Sequence, residues 1–137
     1  KVSVAPCIGV LESETSYRLG KLPISVNLSS EGIIGPSAGL AFTLGLISRL
    51  DPYDLTGGQK VAATGTMSID GKVGEVGGVA QKTVAVRGAG AKIFLVPPGN
   101  YKTALRHAGG DLRVYKVSSV AQAIRVLERY GGKLPKR

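Results

Sequence analysis

The sequence predicts an α/β domain, and three observations carry that prediction. Strand-like and helix-like segments alternate through the second half of the chain, as they do where parallel strands are joined by crossover helices. The 137 residues, 43% of them hydrophobic, suffice for one sizeable core. The longest apolar stretch, residues 33–47 with its interruptions, is too short to cross a bilayer.

The elements follow in order. Residues 2–11 and 22–28 alternate or run apolar and read as strands joined by a polar loop. Residues 29–36 form a loop that delivers Ser37, and a helix is expected from Ser37 to Leu50, stopped by Asp51 and Pro52. Thr56-Gly57-Gly58 is loop, and residues 60–69 read as one strand. Asp70-Gly71 makes a tight hairpin turn to a short strand at Val73. A helix over 78–87, a strand over 92–96, a helix over 101–107 and a strand over 112–117 come next. Ser118 and Ser119 cap a last helix that runs to about Arg129. With no repeat, low-complexity segment or internal linker, residues 1–137 are read as one compact domain. No signal-peptide pattern is present, and the chain begins at Lys1 without a methionine, which suggests an excised or processed piece with an anchor and a substrate-recognition module upstream.

Composition narrows the function. Eighteen basic against nine acidic residues give a formal charge of +9, enough to raise nucleic acid as a partner. The cations are scattered, aromatics make up only 5%, and no nucleic-acid-binding signature is present, so no specific nucleic-acid partner is expected. An anionic membrane surface or acidic substrate segments would use the same charge. Lys133, Lys136 and Arg137 form a basic cluster at the end of the chain, read as a solvated terminus. Cys7 is the only cysteine, so neither an intramolecular disulfide nor a zinc site is expected; it reads as a small buried hydrophobe. Gly71, Gly74, Gly77 and Gly78 lack both the G-x-G-x-x-G spacing and the Gly-Lys-Ser/Thr ending of phosphate-binding loops. No cofactor is expected.

The residues that carry chemistry begin with Ser37, inside Gly35-Pro36-Ser37-Ala38-Gly39 at the mouth of an apolar helix. A helix N-terminus offers unpartnered backbone N–H groups and the positive end of the helix dipole. A hydroxyl there can attack a carbonyl while nearby donors hold the oxyanion. Pro36 fixes the chain ahead of the helix, and the glycines admit a substrate backbone. Serine is also a good helix N-cap, so a purely structural role is the competing reading.

A nucleophilic serine needs a base. His107, the only histidine, sits at the end of a short helix, where a surface or dipole-facing role is usual. Lys82 follows Gly77-Gly78-Val79-Ala80-Gln81 and starts an apolar helical run, at the edge of the face that Val79 and Val86 would bury. A free lysine titrates near ~10.4, and a general base works best near ~7–8, so the role requires desolvation or a neighbouring positive charge. Lys60, Lys72 and Lys92 flank strands or turns and read as solvated charge.

Two separated motifs, in the order serine then lysine, resemble the catalytic domain of Lon proteases. One is Gly35 to Gly39. The other is residues 64–82, Thr-Gly-Thr-Met-Ser-Ile-Asp-Gly-Lys-Val-Gly-Glu-Val-Gly-Gly-Val-Ala-Gln-Lys, similar to the family's lysine-bearing stretch. The likeness runs from about Leu22 to Asn100 and includes the strand at 91–97. It implies an α/β fold of mixed sheets with crossover helices, and a serine endopeptidase acting on unfolded or membrane-associated polypeptides. Ser37 would be the nucleophile, Lys82 the general base and Thr64 a hydroxyl that orients the lysine. Gly35, Pro36, Ala38 and Gly78 would line the oxyanion and substrate site, with no metal.

The resemblance is greatest to bacterial Lon-like proteins that lack an ATPase and join this domain to a PDZ domain and a membrane anchor. It implies ATP-independent cleavage in this chain, ring-shaped homo-oligomers, and a soluble domain within a protein that such an anchor would tether to a membrane. Ile34 departs from the pattern, because ATP-dependent members often carry an acidic residue three places before the serine. That difference bears on the active-site loop rather than on the dyad. A catalytically silent Lon-like binding or assembly module is the alternative.

Overall fold

Four consecutive apolar residues, Ile93-Phe94-Leu95-Val96, form the centre of the fold, because a strand covered on both faces has no polar side to present. They make β4 (Ile93–Val96), buried along its whole length. In the computed structural model, which describes residues 35–50 and 53–133, β4 lies between β1 (Val61–Ala63) and β5 (Arg113–Lys116), parallel to both. Val61 sits opposite Ile93, and Ile93 opposite Arg113.

Four helices cover this sheet: α1 (Gly39–Leu50), α2 (Val79–Gly88), α3 (Tyr101–His107) and α4 (Val120–Glu128). Side chains alternate along a strand, so β4 serves two cores. Ile93 and Leu95 pack with Leu40 and Leu44 of α1 and with Ala123, Val126 and Leu127 of α4. Phe94 and Val96 pack with Val79 of α2 and with Ala104 and Ala108 at α3. Each fully buried large side chain contributes about 1.5–3 kcal/mol.

The chain belongs to the predicted α/β class, with crossover helices and both parallel and antiparallel strand pairs. The helix over 101–107 has its predicted bounds. Ser119 caps α4 by accepting from Gln122 N at 3.2 Å, and Gln122 Oε1 accepts from Ser118 N at 2.8 Å. The expected strands at 2–11 and 22–28, most of the loop at 29–36, Cys7, Ile34, Asp51, Pro52 and residues 134–137 lie outside the described residues. No described helix is long and apolar enough to cross a membrane.

Two elements differ from expectation. The helix predicted from Ser37 begins as a 3₁₀ turn over Pro36–Ala38 and becomes α-helical at Gly39. The single strand expected over 60–69 is two strands in two sheets. β1 ends at Ala63, and β2 (Thr66–Met67) pairs antiparallel with β3 (Val73–Gly74). The break falls at Gly65, whose φ of 151° is open to glycine and rarely to other residues.

The β2–β3 hairpin closes through Gly71 N donating to Ser68 O at 2.9 Å. Lys72 Nζ lies 2.6 Å from Asp70 Oδ2, and the Ser68 hydroxyl donates to Asp70 Oδ1 at 2.6 Å. The Lys72 hydrogen bond, reinforced by that of Ser68, lowers the Asp70 carboxyl from 3.8 to about 2. A folded-state value below the unfolded one stabilises above the unfolded value and is lost as pH falls through the folded one. The turn is therefore expected to hold fully above pH 3.8 and to loosen towards pH 2. Carboxyl NMR shifts of Asp70 against pH check this.

Candidate active site

Ser37 lies in the turn that leads into α1. Its cap position is Gly35 (φ 87°, ψ 167°), and no side chain caps the turn. The Ser37 hydroxyl makes no hydrogen bond with a described residue, so the N-cap reading does not describe it. Gly35 and Pro36 are exposed, and Ser37 and Ala38 are half-buried. The backbone N–H groups of Ser37 and Ala38 fall in the first turn, where helices lack internal acceptors.

The backbone of this serine is held from the sheet. Ser37 O accepts two hydrogen bonds, from Thr64 Oγ1 at 3.0 Å and from Gly65 N at 2.9 Å. Gly65 O in turn accepts from Leu40 N at 3.0 Å. Thr64 is 4% exposed, and its N–H continues the ladder by donating to Leu95 O at 3.0 Å. The break between β1 and β2 is thus where the central sheet holds the serine turn. Gly39 adds close packing, since a Cβ there would sit 3.0 Å from Met67 N. The Thr64 hydroxyl gives its proton to Ser37 O, which leaves its lone pairs to accept from an amine.

Lys82 sits in the first turn of α2. Gly78, left-handed at φ 67°, starts that helix, and Lys82 N donates to Gly78 O at 3.0 Å. Val79 and Thr83 bury one face, with Thr83 Oγ1 donating to Val79 O at 2.7 Å. Lys82 borders that face, as its spacing predicts, and is half-buried. Its ammonium makes no ion pair or hydrogen bond with a described residue, Ser37 included. Catalytic hydrogen bonds commonly lengthen without substrate and tighten when it binds.

The loop between β3 and α2 is fixed by a residue whose role the sequence did not reveal. Asn100 Oδ1 accepts from Val76 N at 3.0 Å, and Asn100 Nδ2 donates to Val76 O at 3.0 Å. This pairing ties the approach to Lys82 to the turn after β4. Gly99 allows it, because a Cβ there would lie 1.8 Å from Glu75 Oε1. Asn100→Leu removes both bonds and leaves two backbone groups unpaired, a cost of roughly 1–3 kcal/mol for each group that stays buried. Its expected result is a lower melting temperature together with a shifted pH–rate profile. Asn100→Asp, which keeps one acceptor, is expected to fall between the two.

Other candidates are placed elsewhere. His107 Nδ1 donates to Thr103 O at 2.8 Å, and Arg87 Nη1 donates to His107 O at 3.1 Å, so His107 serves the end of α3. Lys60, Lys72 and Lys92 are exposed; Lys60 Nζ bonds Ala89 O, and Lys72 pairs with Asp70.

Residues 19–128 match the family described as Lon protease (S16) C-terminal proteolytic domain. The chain belongs to that family. It is 32% identical over 123 residues to a Lon protease of Mycoplasma mobile, covering 90% of this chain and 14% of that protein. An archaeal Lon protease of Archaeoglobus fulgidus is 37% identical over 98 residues, 69% of this chain and 15% of its own length. A mitochondrial Lon protease homolog of Neurospora crassa is 44% identical over 68 residues, 48% of this chain and 6% of its own length. The chain thus spans only a small part of the curated relatives it matches.

Proposed function

We propose that this chain is a serine endopeptidase domain that hydrolyses polypeptides through a Ser37–Lys82 dyad. The serine turn carries it: the Ser37 carbonyl is held by Thr64 and Gly65, while the hydroxyl makes no hydrogen bond with a described residue. Membership of the Lon proteolytic-domain family supports the same chemistry.

Ser37 Oγ attacks the peptide carbonyl as neutral Lys82 Nζ takes its proton. The N–H groups at the first turn stabilise the oxyanion. Gly35, Pro36 and Ala38 shape that pocket, and Gly78 leaves room for substrate backbone. The C–N bond breaks as Lys82 returns the proton to the leaving amine, giving an ester on Ser37. Water, deprotonated by Lys82, hydrolyses the ester and restores the serine. Thr64 accepts a hydrogen bond from the lysine and orients it.

Unfolded or membrane-associated proteins are the proposed substrates. This chain carries no P-loop sequence, in keeping with cleavage independent of ATP in this chain. Ring assembly, an upstream PDZ domain and a membrane anchor belong to the same proposal.

Incubating the chain with an unfolded protein from pH 6 to 10 tests it. Cleavage that rises with pH and is lost in Lys82→Ala supports the proposal. Folded protein that neither cleaves nor reacts at Ser37 favours the silent binding or assembly module.

A further inference from the structure

We infer that the edge of β5 and the facing side of α4 form a docking groove for an extended acidic polypeptide segment, separate from the Ser37 turn. A cleft of about 330 Å³ lies here, lined among others by Tyr101, Tyr115, Lys116, Gln122, Arg125 and Arg129. Its lining includes three cations and no carboxylate. None of the three makes an ion pair or hydrogen bond with a described residue, and the one ion pair among the described residues is Lys72–Asp70. Lys116, Arg125 and Arg129 are all exposed.

A fourth cation extends the field. Arg113, at the start of β5, places its guanidinium 5.5 Å from the Tyr130 ring centroid. The Tyr130 and Tyr115 hydroxyls are hydrogen-bonded, with ring centroids 5.9 Å apart. That bond first, and then the charges of Arg113 and Arg129, hold the Tyr130 phenol below its ordinary value. Positive charge therefore stands at both ends of β5, Arg113 and Lys116 on opposite faces of the strand, with Lys116, Arg125 and Arg129 lining the cleft.

Backbone parity points to an extended chain as the occupant. β5 is the outer strand of the described sheet. Arg113 N donates to Lys92 O and Val117 N to Val96 O, so odd-numbered residues turn their amides toward β4. In a parallel ladder the alternate residues, Val114 and Lys116, turn theirs outward. Such an edge pairs with an added strand. Arg125 and Arg129 are one helical turn apart, a rise of about 6 Å. Alternate side chains of an extended strand repeat every ~6.6–6.8 Å, so an acid-x-acid segment matches the arginine spacing. A nucleic acid would be held by the cations but would gain nothing from edge amides that no described strand pairs. For that reason the acidic polypeptide is favoured.

Fluorescence anisotropy on the full chain carrying Ser37→Ala, which prevents cleavage, tests the groove independently of the proposed activity. The probe is a labelled peptide of four Glu-Val repeats. Saturable binding is expected, weakened at least 10-fold by R125E/R129E and at least 10-fold by N-methylation of alternate peptide amides. A Lys-Val peptide is expected not to bind. Circular dichroism establishes that the double variant folds. Equal binding of the Lys-Val peptide, or affinity unchanged by charge reversal or by N-methylation, overturns the proposal. Two further outcomes overturn it with the Glu-Val peptide silent. In one, a single-stranded oligonucleotide binds and R125E/R129E abolishes it; in the other, sedimentation shows that R125E/R129E separates copies of the chain.

Discussion

Ser37→Ala is expected to lower the rate of peptide hydrolysis by at least ~10³-fold with the fold unchanged. The hydroxyl makes no hydrogen bond with a described residue, so its removal orphans no described partner. The two bonds that hold the turn end on the Ser37 carbonyl, which alanine keeps. Lys82→Ala is expected to cost a similar factor, and the double variant little more, because nucleophile and base act as one unit. Lys82→Arg should be equally inactive, since a guanidinium does not give up its proton near neutrality. Initial rates on an unfolded protein, beside matched thermal melts, check all four. Full activity in Lys82→Ala contradicts the dyad; parallel loss of activity and stability in Ser37→Ala contradicts the separation of roles.

Gly65→Ala is expected to damage stability and activity together. The new Cβ would lie 2.5 Å from Val73 Cγ1, a stiff side chain in the core, at a φ of 151°. Backbone strain of this kind costs about 1–3 kcal/mol, and overpacking typically adds about 1–3 kcal/mol. Relief requires the backbone to move, and Gly65 N and O are the groups that hold Ser37 O and Leu40 N. Thr64→Val provides the comparison. It deletes one donor to Ser37 O while Gly65 N still holds it, and should lower the turnover more than the melting temperature. If Gly65→Ala melts like the unaltered chain and cleaves normally, the break between β1 and β2 does not set the serine.

What the sequence revealed followed local rules. The run Ile93 to Val96 could only be a strand covered on both faces. The cap at Ser119, four positions before a buried alanine, marked the start of α4. Ser37 stood out because its pentapeptide precedes an apolar helix, and Lys82 because a glycine pair precedes a helix with one buried face. The break at Gly65 was hidden because apolar-polar alternation passes through it without interruption. The bond between Thr64 and Ser37 joins residues 27 apart, and that between Asn100 and Val76 residues 24 apart. No spacing rule connects such pairs until the sheet order β1-β4-β5 is known. Resemblance to a family assigned Thr64 a role at the lysine, and the geometry adds a hold on the serine turn.

In the proposed dyad, Ser37 is a nucleophile activated by Lys82. Intact-protein mass spectrometry after reaction with a fluorophosphonate, across pH 6 to 10, tests it most directly. A single adduct is expected, located on Ser37 by peptide mapping. Its rate should rise with pH and fall by orders of magnitude in Lys82→Ala. An adduct on another residue, or a Ser37 adduct whose rate ignores Lys82→Ala, would contradict it.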